Sequence, residues 1–450
     1  MSLNVALNTA VSGLFANQRA IAATSENIAN VNTPNFTRRE AQFSTDAIPN
    51  QFAGVDVNIA RAAVDRFLQS ATYGGNADEA AASAIADALS RIEASLGAPG
   101  DNISYANKLD EAFAALTQLS ANPSSLAAKA DALQSLQAAF DAFARTGAAI
   151  TDEANAALGR LTQDAARANA LLDEIYRLNQ VVQESAGAAD LLDQRLAELS
   201  SLLSINVTRS QDGRVEVATA NGTVLANSAG FTALGVAAGP PTAITLSSVD
   251  PDSGASSQIS ADISGGINSG EIRGLLDLRN VELPRLQALV EVAARGVANQ
   301  LNAVYAGNVA AGASAPSGQA LIIENAGIFT VNQALLSNPS SFAIARPASG
   351  VAGANDGSGA ILLANVAGTP EARAVSDSIA SIGSSARNSA LAAETNKALA
   401  SELNARATAD AGVNLDEELS NLILYQRAYG ANARVISAID ELWQSLLQIL

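Results

Sequence analysis

The sequence contains no cysteine and no histidine among its 450 residues. Without cysteine, the chain forms no disulfide bond and has neither a thiolate nucleophile nor a thiolate metal ligand. Without histidine, it has no Ser-His-Asp arrangement and no imidazole ligand for zinc. The phosphate-binding loop and the glycine fingerprint of dinucleotide-binding proteins are also missing. These absences exclude most of the common catalytic and cofactor-binding arrangements.

Positive charge and long hydrophobic runs are scarce as well. The chain has 26 Lys and Arg against 44 Asp and Glu, a formal net charge of −18. Binding to a phosphate backbone requires clustered positive charge, so we expect no nucleic-acid partner. A run of about eighteen apolar residues is absent, so we expect no membrane insertion. The N-terminus lacks the features of a cleaved secretory signal peptide, so any export would use another route.

Catalysis by two carboxylates needs only Asp and Glu, and it is the enzymatic alternative that the composition leaves open. The acidic pairs Asp152-Glu153 and Asp173-Glu174 are predicted to lie on solvated helix faces, and Glu417-Glu418 to begin a helix. Residues 250–254 have some likeness to a calcium loop, but they lack its spaced ligands and closing Glu, so we interpret them as a turn. We therefore predict no enzyme activity, no catalytic residue, no cofactor and no metal site.

What the sequence does contain is an apolar position every seven residues at both ends. This spacing is typical of a coiled-coil seam. Neither stripe has a partner within its own segment, so we expect the two ends to pair with each other or with other copies of the chain. This pattern indicates an assembly protein. The stripes consist of Leu7, Leu14, Ile21 and Ile28, and of Leu415, Leu422, Tyr429, Ile436, Trp443 and Leu450.

Helical periodicity dominates the region between the two ends. It predicts one helix over 77–96, a second that ends near residue 122, and a third over 124–185. Two more helices are predicted over 270–308 and 375–409. The third would be about 90 Å long if unbroken, and Gly147 is a possible bend. Residues 205–264 alternate between apolar and polar and contain the hairpin turn signals Asp212-Gly213 and Asn221-Gly222.

The predicted fold is mainly α, with a small β-rich insertion and a long rod-like helical coiled coil whose N- and C-terminal helices are paired. We predict a terminal coiled-coil assembly domain over 1–65 and 412–450. A rod-like helical domain over 66–204 and 265–411 includes an Ala/Gly/Ser-rich stretch, 307–371, that we expect to be irregular. The β-rich insertion is predicted to be 205–264.

Residues 23–38 read Ala-Thr-Ser-Glu-Asn-Ile-Ala-Asn-Val-Asn-Thr-Pro-Asn-Phe-Thr-Arg. The amides of Asn27 and Asn30 lie on one face at the end of the first helix, where they can bond neighbouring backbone, and Pro34 ends the helix. The run resembles the N-terminal signature of flagellar rod, hook and hook-associated proteins. Asn35 replaces the Gly that is common there, which is a mild departure because Asn tolerates a left-handed backbone. The matching positions are Asn27, Ala29, Asn30, Asn32, Thr33, Pro34, Phe36 and Arg38.

Residues 412–436 begin Gly-Val-Asn-Leu-Asp-Glu-Glu and continue into Tyr425-Gln-Arg-Ala-Tyr429. This run resembles the C-terminus of the first hook-associated proteins, the hook–filament junction family. Hook and rod proteins share the Tyr-Gln-x-Ala-Tyr core but usually lack the Leu-Asp-Glu-Glu opening. Weaker resemblance extends over 270–279 and 328–339.

The resemblance implies a structural component of the bacterial flagellum that forms a homo-oligomeric ring between hook and filament. Its implied partners are the hook protein, the third hook-associated protein and a secretion chaperone at the C-terminal helix. It implies an extracellular location after export by the flagellar type III apparatus, without a cleaved signal peptide. Another axial protein of the superfamily, of the hook or distal rod, and a non-flagellar helical scaffold remain as alternatives. The predicted assembly residues are the two stripes together with Asn27, Asn30, Thr33, Pro34, Phe36, Arg38 and Tyr425.

Overall fold

The computed structural model describes residues 3–33, 36–46, 54–97, 101–183, 186–250, 253–260 and 262–449. The chain begins with helix α1, Leu3–Ala29, and ends with helix α11, Leu415–Ile449. These two helices pack along each other. An antiparallel hairpin, β1 (Arg39–Asp46) and β2 (Gly54–Arg61), packs on α1. The four elements α1, β1, β2 and α11 are called the terminal unit below.

Long helices make up the central body of the chain. It contains α2 (Arg66–Ser95), α3 (Tyr105–Ala121), α4 (Leu126–Val181), α5 (Ala186–Leu202) and α10 (Pro370–Ala411), together with the shorter helices described next. The side chains of Asp65, Ser104, Ser125 and Thr369 accept hydrogen bonds from backbone N–H groups in the first turns of α2, α3, α4 and α10. Such caps satisfy donors that a helix start leaves unpaired. Helices α2 to α10 are called the helical unit.

Helix α4 runs through Gly147 without a break. Its 56 residues correspond to about 84 Å at the α-helical rise. One face is covered by α3, α5 and α7 (Leu283–Tyr305). The rings of Tyr105 and Phe143 stack at 4.3 Å in this core. Burial raises the pKa of Tyr105 to about 12, and its hydroxyl lies 2.8 Å from the Ser378 hydroxyl.

The predicted β-rich insertion is a six-stranded antiparallel sheet in which every strand pairs with its neighbours in sequence. The sheet lies against α4. It is followed by α6 (Glu271–Asp277), which continues through a π-helical turn, Leu278–Glu282, into α7. The strands are β3 (Asn206–Arg209), β4 (Val215–Ala218), β5 (Val224–Ala226), β6 (Phe231–Ala237), β7 (Ala243–Val249) and β8 (Ser256–Ser260).

Asparagine side chains on helices hold strand backbones by a recurring contact. Asn169 and Asn179 of α4 each pair with the backbone N–H and C=O of one strand residue, Leu234 and Val215 respectively, at 2.7–2.9 Å. An amide has one donor group and one acceptor, so it can satisfy both backbone groups at once. These contacts fix the sheet on α4 at a set register.

The segment 307–371, predicted to be irregular, contains regular structure. It forms a second hairpin, β9 (Ile322–Asn325) and β10 (Ile328–Val331), and the short helices α8 (Gln333–Ser337) and α9 (Ser358–Ala364). Asn302 of α7 pairs with both backbone groups of Ile322, as the α4 asparagines do in the larger sheet. This order was not found from the sequence, because the hairpin also packs on α4, whose Gln137 side chain accepts from the Val331 N–H across 194 positions.

Candidate assembly interface

The face that α1 buries is lined by small side chains rather than by the predicted large ones. The buried positions are spaced three and four residues apart, as in a coiled-coil seam. Leu7, Leu14, Ile21 and Ile28 flank this face and are half-buried. The fully buried residues are Ala10, Gly13, Ala16, Asn17, Ala20, Ala23, Thr24 and Asn27.

The small residues allow α1 and α11 to approach closely. A Cβ atom built on Gly13 would lie 2.8 Å from Nδ2 of Asn432 on α11. The Asn17 side chain donates to the Gly13 carbonyl at 2.6 Å, which satisfies a buried polar group next to this contact. The pair therefore depends on small side chains at the seam more than on the burial of leucine.

Helix α11 keeps much of its apolar surface exposed. Of the predicted stripe, Leu422 and Ile436 are half-buried, while Leu415, Tyr429 and Trp443 are exposed. Tyr425 is half-buried, and its ring lies 5.8 Å from that of Phe43 on β1. Leu450 lies outside the described residues. Further large apolar side chains are exposed on the same helix, namely Leu419, Ile423, Leu424, Val435, Leu442 and Leu447.

The asparagine-rich signature forms the turn between α1 and β1. Asn27 is fully buried, and its amide pairs with the backbone N–H and C=O of Arg39 at 2.7 and 2.9 Å. Asn30 donates to the Glu26 carbonyl at 2.9 Å and accepts from the Thr33 hydroxyl at 3.1 Å. The predicted role of both amides, to bond backbone where the helix stops, is confirmed. Pro34 lies outside the described residues.

Arg38 joins the two ends of the chain. Its guanidinium donates two hydrogen bonds to Glu417, at 2.7 and 3.0 Å, and lies 2.9 Å from the buried carboxylate of Glu418. Asn414 caps α11, accepting from the Asp416 N–H at 3.0 Å, and the Glu417 carboxylate in the first turn pairs with Arg38.

A second group of charges was not found from the sequence. Arg39 and Arg61, on the two hairpin strands, meet Asp190 and Asp193 on α5, and Arg209 of β3 also pairs with Asp193. Arg39 also lies over the ring of Phe36, 5.5 Å from its centre. No local pattern marks the hairpin arginines, because Arg39 and Arg61 are separated from their aspartate partners by more than 120 positions in sequence.

The described residues contain no group of Asp and Glu side chains arranged to hold a metal ion. None of the helices described here combines the length and the hydropathy that a membrane span needs.

Comparison with known proteins shows which family has this architecture. The model of the flagellar hook-associated protein FlgK helical domain matches residues 89–321, more than half of the chain. The chain belongs to the FlgK family of flagellar hook-associated proteins. This is a family of structural flagellar proteins. Two further family models, both of flagellar proteins, match the two ends of this FlgK-family chain. The flagella basal body rod protein model matches residues 7–37, and the C-terminal model of the basal body rod FlgEFG proteins matches 407–449.

Individual relatives fit this membership. Flagellar hook-associated protein 1 of Salmonella typhimurium is 26% identical over 320 residues, covering 66% of this FlgK-family chain and 56% of the relative. The Bacillus subtilis protein of the same name is 26% identical over 237 residues, or 48% and 46% of the two chains. The chain thus spans only about half the length of these curated relatives. The flagellar hook protein FlgE of Caulobacter vibrioides is 58% identical over 45 residues, 10% of this chain.

A solved structure supports the fold. The flagellar hook junction protein FlgK from Burkholderia pseudomallei superposes with a TM-score of 0.60 at 13% identity, covering 75% of this chain and 99% of that one. The predicted fold class, mainly α with a small β insertion and paired terminal helices, is confirmed.

Proposed function

We propose that the chain forms the junction between hook and filament as a ring of identical copies. The observation that carries this proposal is the apolar surface that α11 leaves exposed while its other side packs on α1. Contiguous exposed apolar surface on a monomer marks an interaction site. Membership in the FlgK family supports the choice of the hook–filament junction as the place where this surface is covered.

The proposed organisation follows the predicted domains. Residues 1–65 and 412–450 provide assembly contacts, 66–204 and 265–411 form a rod, and 205–264 project as a β-rich insertion. Neighbouring copies contact the two predicted stripes and the turn around Asn30, Thr33, Pro34 and Phe36. The hook protein lies below the ring and the third hook-associated protein above it. The chain has no catalytic role.

We also propose that the chain reaches the outside of the cell through the flagellar type III apparatus without a cleaved signal peptide. Before export, a secretion chaperone covers the exposed apolar residues of α11. Titration calorimetry of a flagellar chaperone with a peptide of residues 415–449 tests this contact. Equal binding of a peptide in which Leu419, Ile423 and Leu442 are replaced by Ser would contradict it.

The decisive experiment adds the purified chain to isolated hooks and images their distal ends by electron microscopy. We expect the intact chain to cap hook ends, and a chain lacking 415–450 not to do so. Ile436→Asp is expected to prevent capping, because a carboxylate cannot be buried unpaired at the seam. Val292→Asp is the matched control, since Val292 is an exposed apolar residue on α7 of the helical unit. Normal capping by Ile436→Asp would contradict the role of the seam.

A second candidate, another axial protein such as a hook protein, is favoured by the 58% identical segment shared with the Caulobacter hook protein. In that case, the chain would polymerise by itself into tubes. Filaments in the sample without hooks would therefore support the second candidate and overturn the junction proposal.

A further inference from the structure

The terminal unit and the helical unit meet without a shared apolar core. In the described part of the chain, α1, β1, β2 and α11 pack extensively only against one another. The chain passes between the two units at residues 62–65 and 412–414. Two short connections alone would not fix the angle between two packed bodies, because interdomain motion is expected where the interface is neither large nor apolar.

What joins the units is the group of charges at Arg39, Arg61, Asp190, Asp193 and Arg209, which we call the ionic joint. Arg61 Nη2 lies 3.0 Å from Asp190 and 2.6 Å from Asp193, and it also donates to the Thr37 hydroxyl at 2.8 Å. Arg39 pairs with Asp190, and Arg209 pairs with Asp193. Each aspartate of α5 therefore holds at least one arginine from a strand of the hairpin.

The ionic joint is largely removed from water. The side chain of Arg39 is 2% exposed and that of Asp193 is 8% exposed. Burial raises the pKa of Asp190, although the charges of Arg61 and Arg39 oppose this shift. Charges in such surroundings are weakly screened by salt, and loss of one partner leaves the other buried and unpaired. The pairs therefore resist partial opening and favour one arrangement.

The space beside the ionic joint is not filled. A cavity of about 280 Å³ lies between the signature turn on one side and α2, α5 and α10 on the other. Asn30, Phe36, Tyr73, Asp193 and Asn404 are among its lining residues. Nη1 of Arg39 and Nε of Arg61 are buried, and neither has an acceptor among the protein atoms that the structure describes. Close packing would block rotation of one unit against the other, whereas this cavity leaves room for it.

We propose that Asp190 and Asp193 are positioning residues, which hold the terminal unit at a set angle to the helical unit and so present α11 for assembly. The angle is determined by directional ion pairs and not by apolar packing, so it has one preferred value and can change when the pairs open. The role of this angle in assembly rests on the proposed function, whereas the existence of a set angle between the two units does not.

The absence of cysteine makes the angle measurable by spin labelling. Gln18 on α1 and Gln163 on α4 are exposed, so each can be replaced by Cys and labelled without competing thiols. The interspin distance is measured by pulsed electron paramagnetic resonance on the full-length chain. We expect one narrow distance peak for the parent. The variant Asp190→Asn with Asp193→Asn is expected to lose this peak and give a broad distribution.

Asp173→Asn is the matched control, because it removes the surface ion pair with Arg177 on α4 and does not touch the ionic joint. We expect it to keep the parent's narrow peak. If the double variant fails to fold by circular dichroism, Arg39→Gln with Arg61→Gln decides instead, since it removes both hairpin arginines from α5 and leaves the Arg209–Asp193 pair intact. A folded variant that keeps the narrow peak would overturn the proposal.

Hook capping by the same variants tests whether the set angle serves assembly. We expect the broadened variant to cap fewer hooks than Asp173→Asn does. Equal capping would overturn the claim that the set angle serves assembly. If the parent itself does not cap hooks, the junction function fails, while the distance measurement still decides whether the ionic joint sets the angle.

Discussion

The helical unit and the terminal unit use their apolar residues in opposite ways. The helical unit buries large side chains, such as Phe140, Leu136 and Leu161, each at most 1% exposed. The terminal unit buries mainly Ala, Gly and Asn on α1, and leaves Phe15, Leu424 and Trp443 exposed. Because burial of large apolar groups is the main source of stability, we expect the terminal unit to be the less stable of the two in the monomer and to gain stability when the proposed assembly covers its exposed residues.

Hydrogen exchange on the dilute monomer gives the sharpest contrast between the two units. We expect amides near Leu14 and Ile436 to exchange about a thousandfold faster than those near Leu136 and Leu161, since local opening is cheap where few large side chains are buried. Mass spectrometry of labelled peptides measures this difference. Equal protection in both units would mean that the terminal pair is stable without neighbours.

Truncation of one large aromatic side chain in each unit separates stability from assembly. Phe140→Ala is expected to destabilise the chain by about 3 kcal/mol, because Phe140 lies within 6.3 Å of both Phe143 and Phe329 in the core. Trp443→Ala is expected to change the free energy of unfolding by less than about 0.5 kcal/mol but to abolish hook capping. Urea unfolding and electron microscopy provide the two measurements. A large loss of stability in Trp443→Ala would contradict the distinction.

A branched side chain at the seam tests the small-residue pairing directly. Gly13→Val places atoms where Asn432 already lies, and we expect a loss of about 2 kcal/mol in pairing of α1 with α11. Gly430→Ala on α11 is the control, because a Cβ there meets no atom within 4 Å. Fluorescence of Trp443, the single tryptophan, follows the terminal unit during unfolding. An unchanged transition for Gly13→Val would show that the two helices are not in close contact.

One residue of the helical unit, Asp164 of α4, is expected to lower the stability of the chain at neutral pH. Burial raises the pKa of Asp164 to about 6, the charge of Glu271 adds to the shift, and Arg160 and Arg167 oppose it. The folded state therefore holds this proton more tightly than the unfolded state, so stability falls as the pH rises from about 4 to about 6 and stays lower above that range.

The substitution Asp164→Asn is expected to remove the loss of stability that occurs as the pH rises. We expect it to stabilise the chain by about 1 kcal/mol at pH 7.5, because the side chain is only partly removed from solvent, and by almost nothing at pH 3.5. Urea unfolding at the two pH values measures the difference. Asp173→Asn, which changes a surface carboxylate on the same helix, should have little effect at either pH. A gain that is the same at pH 3.5 and pH 7.5 would contradict the raised pKa.

The sequence predicted the paired terminal helices, the rod and the β-rich insertion because periodicity is local. It placed the start of α2 at Ala77, whereas the helix begins at Arg66 and runs through Gly74 and Gly75. A Cβ on Gly75 would lie 2.8 Å from Leu403, so this glycine allows α10 to approach α2. The role of Gly75 could therefore be interpreted only with Leu403 of α10, which lies more than 300 residues away in sequence.

The same limit applies to the candidate site. Asn27 and Asn30 were found because their partners lie within twelve residues along the chain. The pairing of Arg38 with Glu417 and the ionic joint were missed, because charge pairs between distant segments have no periodicity. The heptad stripes predicted that the ends associate, but not that small residues would be the buried ones on α1 while the large stripe residues are half-buried or exposed.

The contact between Gly13 and Asn432 closes a loop of more than 400 residues. Closing so long a loop from an unfolded chain is slow and entropically costly, and a folded helical unit shortens the path between its ends. The pairing of α1 with α11 should therefore be the last step of folding. We therefore expect a chain whose centre is misfolded to bring its two ends together less readily than a chain whose helical unit has folded.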